Sequence, residues 1–214
     1  MALASTFFGV GMVQFFLLPV LLMPLSPWWA LLLIPCALTT TTNWAVIHEA
    51  VHYLLSPERR SNDYYGRALA IMFGSPLALL RFLHLEHHRL NGTVADRPEH
   101  YESARLTRGR AALFYYPNLL IGIYVAELTA TLICLLPASL IRRMTRLVPK
   151  AENEMSRAEL FLLQPNRLSQ LRIDACAVVA LYAVAFWCYG THWLLLALSI
   201  VARCVLVSIS DNSY

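Results

Sequence analysis

The sequence predicts an all-α, multi-pass membrane protein: about four transmembrane helices in two hairpins, with interfacial or re-entrant helices between them. Three observations predict this. The 214 residues are 58% apolar and only 14% charged, with mean hydropathy +0.54, outside the usual range of a soluble domain of this size. The apolar residues gather in runs near the ~20 residues that a helix needs to cross hydrocarbon. The basic residues lie apart from those runs, and none occurs before Arg59. The net charge of +4 and pI of about 8.9 therefore read as membrane orientation. No basic patch is interleaved with a soluble fold, so nucleic acid is excluded as a partner.

The runs from Phe7 to Leu25 and from Trp28 to Ile47, separated by Ser26 and Pro27, form the first predicted hairpin. The N-terminus lacks the basic n-region of a secretory signal, so its apolar stretch is expected to remain as a membrane helix. From Ser56 to Arg110 the chain turns polar and carries nine arginines. The apolar piece within it, Ala68 to Leu80, is too short to span easily, and positive-inside logic places this segment in the cytoplasm.

The stretch from Ala111 to Ile141 is apolar but broken by Pro117, Asn118, Glu127 and Pro137. A second basic segment follows, with Arg142, Arg143, Arg146, Lys150, Arg157, Arg167 and Arg172. If both basic segments are cytoplasmic, the stretch between them does not cross once; it lies in the interface, re-enters, or forms a short hairpin. The last block, Ala175 to Ser210, is divided by Gly190 and Thr191 into a second hairpin that returns the chain to the cytoplasmic face at Asp211. No repeat or linker divides residues 1–214, which read as one domain. Five cysteines sit inside apolar runs, without a C-x-x-C pair, and read as small buried hydrophobes.

Five of the seven histidines fall in two clusters, each just beyond an apolar run. In H-E-A-V-H, His48 and His52 are four residues apart, which puts both imidazoles on one helical face. In H-L-E-H-H, His84, His87 and His88 again gather on one face. Imidazoles near one membrane surface suit a first-row transition metal such as iron, and nearby carboxylates can orient the rings. Glu49, Glu86 and Asp96 are the candidates. His100 reads as a solvated loop residue, and His192 lies in the turn on the opposite face.

At these two boxes the sequence resembles the membrane fatty acid desaturase and hydroxylase superfamily, with H-x-x-x-H followed by H-x-x-H-H. Arg81 before the second box, Asn91 after it, and Asp96 with Pro98 further on repeat the family's context. The charge pattern places the site at the cytoplasmic face, and the resemblance implies that it holds two iron ions and uses O2 as co-substrate. His48, His52, His84, His87 and His88 would be ligands, with Asn91 among the supporting residues. It also implies a membrane lipid or acyl substrate and a separate electron donor of ferredoxin, rubredoxin or cytochrome b5 type; the expected location is the cytoplasmic membrane of a bacterium. No haem-attachment motif or flavin-type glycine loop is present to replace that donor. The family's third histidine box does not occur before Tyr214. Asp211 or Asn212 resembles the position shortly before it, so the chain is expected to be C-terminally incomplete, with Asp211 a further candidate ligand.

Hydrogen removal from an unactivated methylene needs an oxidant that side chains lack and that iron with dioxygen provides. The protein's share is placement of the substrate, with Thr39 to Thr42 and Asn43 as polar wall elements, although threonines in such helices serve packing more often. Two rival readings come from other classes. H-E-A-V-H fits an intramembrane zinc metalloprotease with Glu49 as general base and Glu127 as a third ligand, but leaves H-x-x-H-H unexplained. A haem protein with paired histidines would place single histidines in mid-membrane, which these clusters do not.

Overall fold

The computed structural model describes residues 1–91, 106–147 and 160–211. Among the described residues every regular element is helical. Helix α1 spans Ala2–Leu22, and its second part, Val13–Leu22, is wound as a π-helix around Pro19. Proline has no N–H to give, and the wider winding accommodates the missing bond. After a turn, α2 (Pro27–Leu38) and α3 (Thr40–Val51) form a pair bent by 43°. At that bend the Thr39 and Thr40 hydroxyls donate back to the Cys36 carbonyl at 3.0 and 3.4 Å. Such back-bonding bends helices, so these two threonines serve helix geometry.

Helices α4 (Arg59–Phe73) and α5 (Leu77–Leu90) meet at 91°. The elbow breaks the predicted apolar piece Ala68 to Leu80 in its middle, at Gly74, whose φ of +117° belongs to the left-handed region that favours glycine. The carbonyls stranded at the end of α4 find partners on other helices. Tyr182 donates to the Met72 and Phe73 carbonyls at 3.1 and 3.2 Å, Tyr124 donates to Phe73, and Arg203 reaches Met72 at 3.4 Å. These groups come from α7 (Ile123–Cys134), α9 (Pro165–Tyr189) and α10 (Trp193–Asp211).

The stretch before α7 is α6, Arg108–Gly122, whose last turn follows Pro117 as a π-helix, and α6 is bent by 67° against α7. The apolar stretch Ala111 to Ile141 is therefore not a straight span. Arg172 of α9 closes the end of α7 with bonds to the Cys134 and Leu136 carbonyls at 3.3 and 2.7 Å. The basic amphipathic helix α8 (Ala138–Leu147) follows.

Helices α9 and α10 fold back on one another through Gly190–His192. Tyr182 and Arg203 both reach the Met72 carbonyl, and Tyr189 and Ser199 both bond Gln14. On one straight helix Tyr182 and Arg203 would stand ~30 Å apart. Alone, Ala2–Leu22 and the segment Pro165–Ser210 are long and apolar enough to cross a membrane, and three bent pairs reach that length together.

The two turns lie at one end of the bundle, where Met23 and Leu33 pack with Tyr189 and Leu196. Exposed Trp28, Trp29 and Trp193 flank that end, as aromatic residues do at a membrane surface. At the other end, Ile47, Ala50 and Val51 of α3 pack on Leu69, Phe73 and Leu80. The Arg67–Asp174 ion pair, with the carboxylate buried, ties α4 to α9.

A Cβ at position 74 would stand 3.0 Å from the Tyr124 hydroxyl and 3.4 Å from that of Tyr182, on a left-handed backbone. Gly74→Ala is expected to cost at least ~1 kcal/mol and to lower the melting midpoint of the detergent-solubilised protein. Gly9→Ala, where nothing lies within 4 Å, is the control and should leave it unchanged or raise it.

Candidate metal centre

The last turn of α3 carries His48 and His52, and the exposed half of α5 carries His84, His87 and His88. The elbow turns α5 so that its histidine face meets the end of α3. His84 and His52 Nε2 atoms are 3.1 Å apart, and His88 and His84 Nε2 atoms 2.8 Å apart. His48 joins them with its ring 4.6 Å from that of His52 and 4.5 Å from that of His84. One ligand nitrogen from each of His48, His52, His84 and His88 lies within 4.8 Å of all the others. The two boxes, separate in sequence, become one cluster.

Burial, and after it the neighbouring histidines, push the His84 pKa down to about 3. His52 is lowered in the same way, by burial first and then by His48 and His88. A low pKa keeps the imidazole neutral with a free lone pair, the form that binds a metal. The donor set is imidazole without thiolate, and its nitrogens converge on one space. That chemistry suits iron, copper, zinc or nickel, and does not suit magnesium or calcium.

The remaining candidates fall into different places. His87 stands to one side, its ring 6.0 Å from His84 and 5.8 Å from His88, outside the four-histidine group. A carboxylate oxygen of Glu49 is 3.8 Å from His48 Nδ1, within reach to orient that ring. Glu86 is engaged by both Nε and Nη2 of Arg89, at 2.9 and 2.7 Å. Asn91 closes α5, its N–H donating to the His87 carbonyl at 2.8 Å. Asp211 ends α10, and its side chain lies outside the description, while Asp96 and His100 lie outside the described residues. His192 sits in the turn between α9 and α10, at the far end of the bundle.

Sequence reasoning missed Asn62. Fully buried on α4, it donates from Nδ2 to the Ala50 carbonyl at 3.0 Å and accepts from Leu55 N–H at 3.1 Å, holding both sides of the His52 turn. In an arginine-rich polar segment, no sequence signal separates one such asparagine from a solvated one.

Compared with known protein families, residues 26–212 match the fatty acid desaturase family. The protein belongs to that family, whose members are oxidoreductases of the desaturase and hydroxylase type. Searches of curated proteins and of solved structures find no match. The zinc-protease reading gains no support, because among the described residues the clustered ligand set is four histidines and does not include Glu127.

Within the cluster His84 is the hub, with its ring 4.5–5.0 Å from those of His48, His52 and His88. His84→Ala is expected to weaken binding of a divalent transition metal by more than ~100-fold, beyond the loss typical of an outer-shell change, and His87→Ala by less. Metal titration of the purified variants checks this. Equal affinity in His84→Ala and the unaltered protein would refute it.

Proposed function

We propose that this protein is a membrane di-iron oxidase that uses O2 to desaturate or hydroxylate the acyl chain of a lipid. The observation that carries the reading is the convergence of His48, His52, His84 and His88 from two boxes into one cluster, on a chain of the desaturase family. These four imidazoles would hold one iron, and His87, with Asp211 and groups outside the described residues, would serve a second. Bound iron supplies, with dioxygen, the one-electron oxidising power that no side chain has.

The chain's own work is positioning. The apolar helices around the site would align one carbon of the acyl chain against it and exclude water. Whether a double bond or an alcohol results depends on that alignment. Electrons would come from a separate ferredoxin, rubredoxin or cytochrome b5 type protein.

The cytoplasmic orientation rests on charge. Arginines crowd the histidine end, with Arg59, Arg60 and Arg89 on α4 and α5, whereas the turns at the other end contain none, as the positive-inside rule expects. Four spans then follow from the two hairpins, with α6 and α7 re-entering or lying in the interface.

Purified from iron-supplied cells, the full-length protein is expected to carry about two iron ions per chain, as an imidazole-rich site allows. With an electron donor it should convert a long-chain lipid to an unsaturated or hydroxylated product detected by mass spectrometry. Stoichiometric zinc without iron, together with activity that survives iron chelation, would sink the proposal.

Topology has its own test, using single cysteines introduced after replacement of the native ones. Cysteines at Ser26 and His192 should label from outside intact cells, and those at His88 and Arg146 only after permeabilisation. External labelling at Arg146 would overturn the re-entrant assignment of α6 and α7.

A further inference from the structure

We infer that Arg81 is a positioning residue that sets the distance and angle between the two histidine pairs. The inference rests on the reading of His48, His52, His84 and His88 as a metal centre. The last turn of a helix leaves carbonyls short of intrahelical partners, and the last turn of α3 presents the carbonyls of Ala50 and Val51 between His48 and His52, that of Ala50 also accepting from the Tyr53 N–H at 3.2 Å. Arg81 donates from Nη2 to Ala50 at 2.8 Å and from Nε to Val51 at 3.0 Å. Arg81 itself belongs to α5, one turn before His84, so that Arg81, His84 and His88 lie along one face. One guanidinium thus joins the turn that bears the first histidine pair to the helix that bears the second.

The guanidinium is held from its other sides. Asp63 of α4 accepts from Nη2 at 2.8 Å, and the side chain of Arg81 is only 15% exposed. The ring of Tyr53 lies against the guanidinium, 3.9 Å from its carbon, with Arg59 also over that ring at 4.4 Å and bonded to the Tyr53 hydroxyl at 3.0 Å. Tyr53 follows His52 directly and has φ +62°, a left-handed conformation that a bulky residue keeps only when its surroundings hold it there. The chain leaving His52 is therefore folded back over Arg81.

The planar fork matters as much as the charge. Two adjacent carbonyls are met by two N–H groups of fixed separation, whereas a lysine ammonium is a point charge on a flexible stem. The positive charge also sits favourably at the C-terminal end of α3. Arg81→Lys keeps the charge and loses the fork, which makes it the informative substitution.

The test uses the full-length protein in detergent with Co(II) as probe, read by binding titration and by the visible absorption spectrum that reports ligand geometry. Arg81→Lys is expected to bind Co(II) roughly 10- to 100-fold more weakly, as outer-shell changes do, with an altered spectrum and a nearly unchanged melting midpoint. Unchanged affinity and spectrum in Arg81→Lys would overturn the inference, whatever happens to the melting midpoint. Should that variant fail to fold, Asp63→Asn, which loosens the guanidinium without removing it, is expected to shift affinity and spectrum in the same direction, and unchanged values there would equally overturn it. His84→Ala separates the two levels of the argument. Co(II) binding that ignores this change defeats the metal-centre reading, whereas loss in His84→Ala beside intact binding in Arg81→Lys defeats only the role of Arg81.

Discussion

The carbonyl groups of Met72 and Phe73, stranded where α4 stops, are the constraint on which the architecture turns. In apolar surroundings an unpaired carbonyl costs several kcal/mol, so a helix can break there only if other helices supply donors. Tyr124, Tyr182 and Arg203 supply them. These three residues come from α7, α9 and α10, and their convergence ties the second half of the chain to the elbow of the first. Without that elbow α5 would run on from α4, and its histidines would point away from the end of α3.

Helix geometry then explains the composition of the site. His48 and His52 share a face because they are four apart, as do His84 and His88, and the 91° elbow brings the two faces together. Packing below the rings is apolar, with Trp44 stacked on Phe73 at 5.3 Å, so the imidazoles project from a rigid floor. Burial, and then the neighbouring rings, raise the cost of a proton on His84 and His52. One nitrogen from each of four rings converges on a common space, an arrangement that a bound cation would satisfy better than the rings satisfy one another.

The polar residues of this end divide between those that bear on the rings and those that hold the backbone. Glu49 is near His48, while Glu86 is drawn to Arg89. Asn62 and Arg81 act on the Ala50 carbonyl from two different helices, so the terminal turn of α3 is fastened from both sides. A transition-metal site tolerates little displacement of its ligands, and this fastening is the kind of support such a site requires.

The sequence by itself determined the class of the protein. Composition and run lengths showed apolar helices, the period of 3.6 put each histidine pair on one face, and Gly190 with Thr191 marked the last hairpin. The family was legible too, because its two boxes are short motifs within single helices. What only the tertiary structure decided is how those helices meet. Gly74 as the point where Ala68 to Leu80 breaks, Arg203 and the two tyrosines as its caps, the separation of His87 from the other four histidines, and the fastening of α3 by Asn62 and Arg81 all depend on contacts between distant segments. Periodicity reports which face a residue occupies, but it carries no information about which other helix that face will touch.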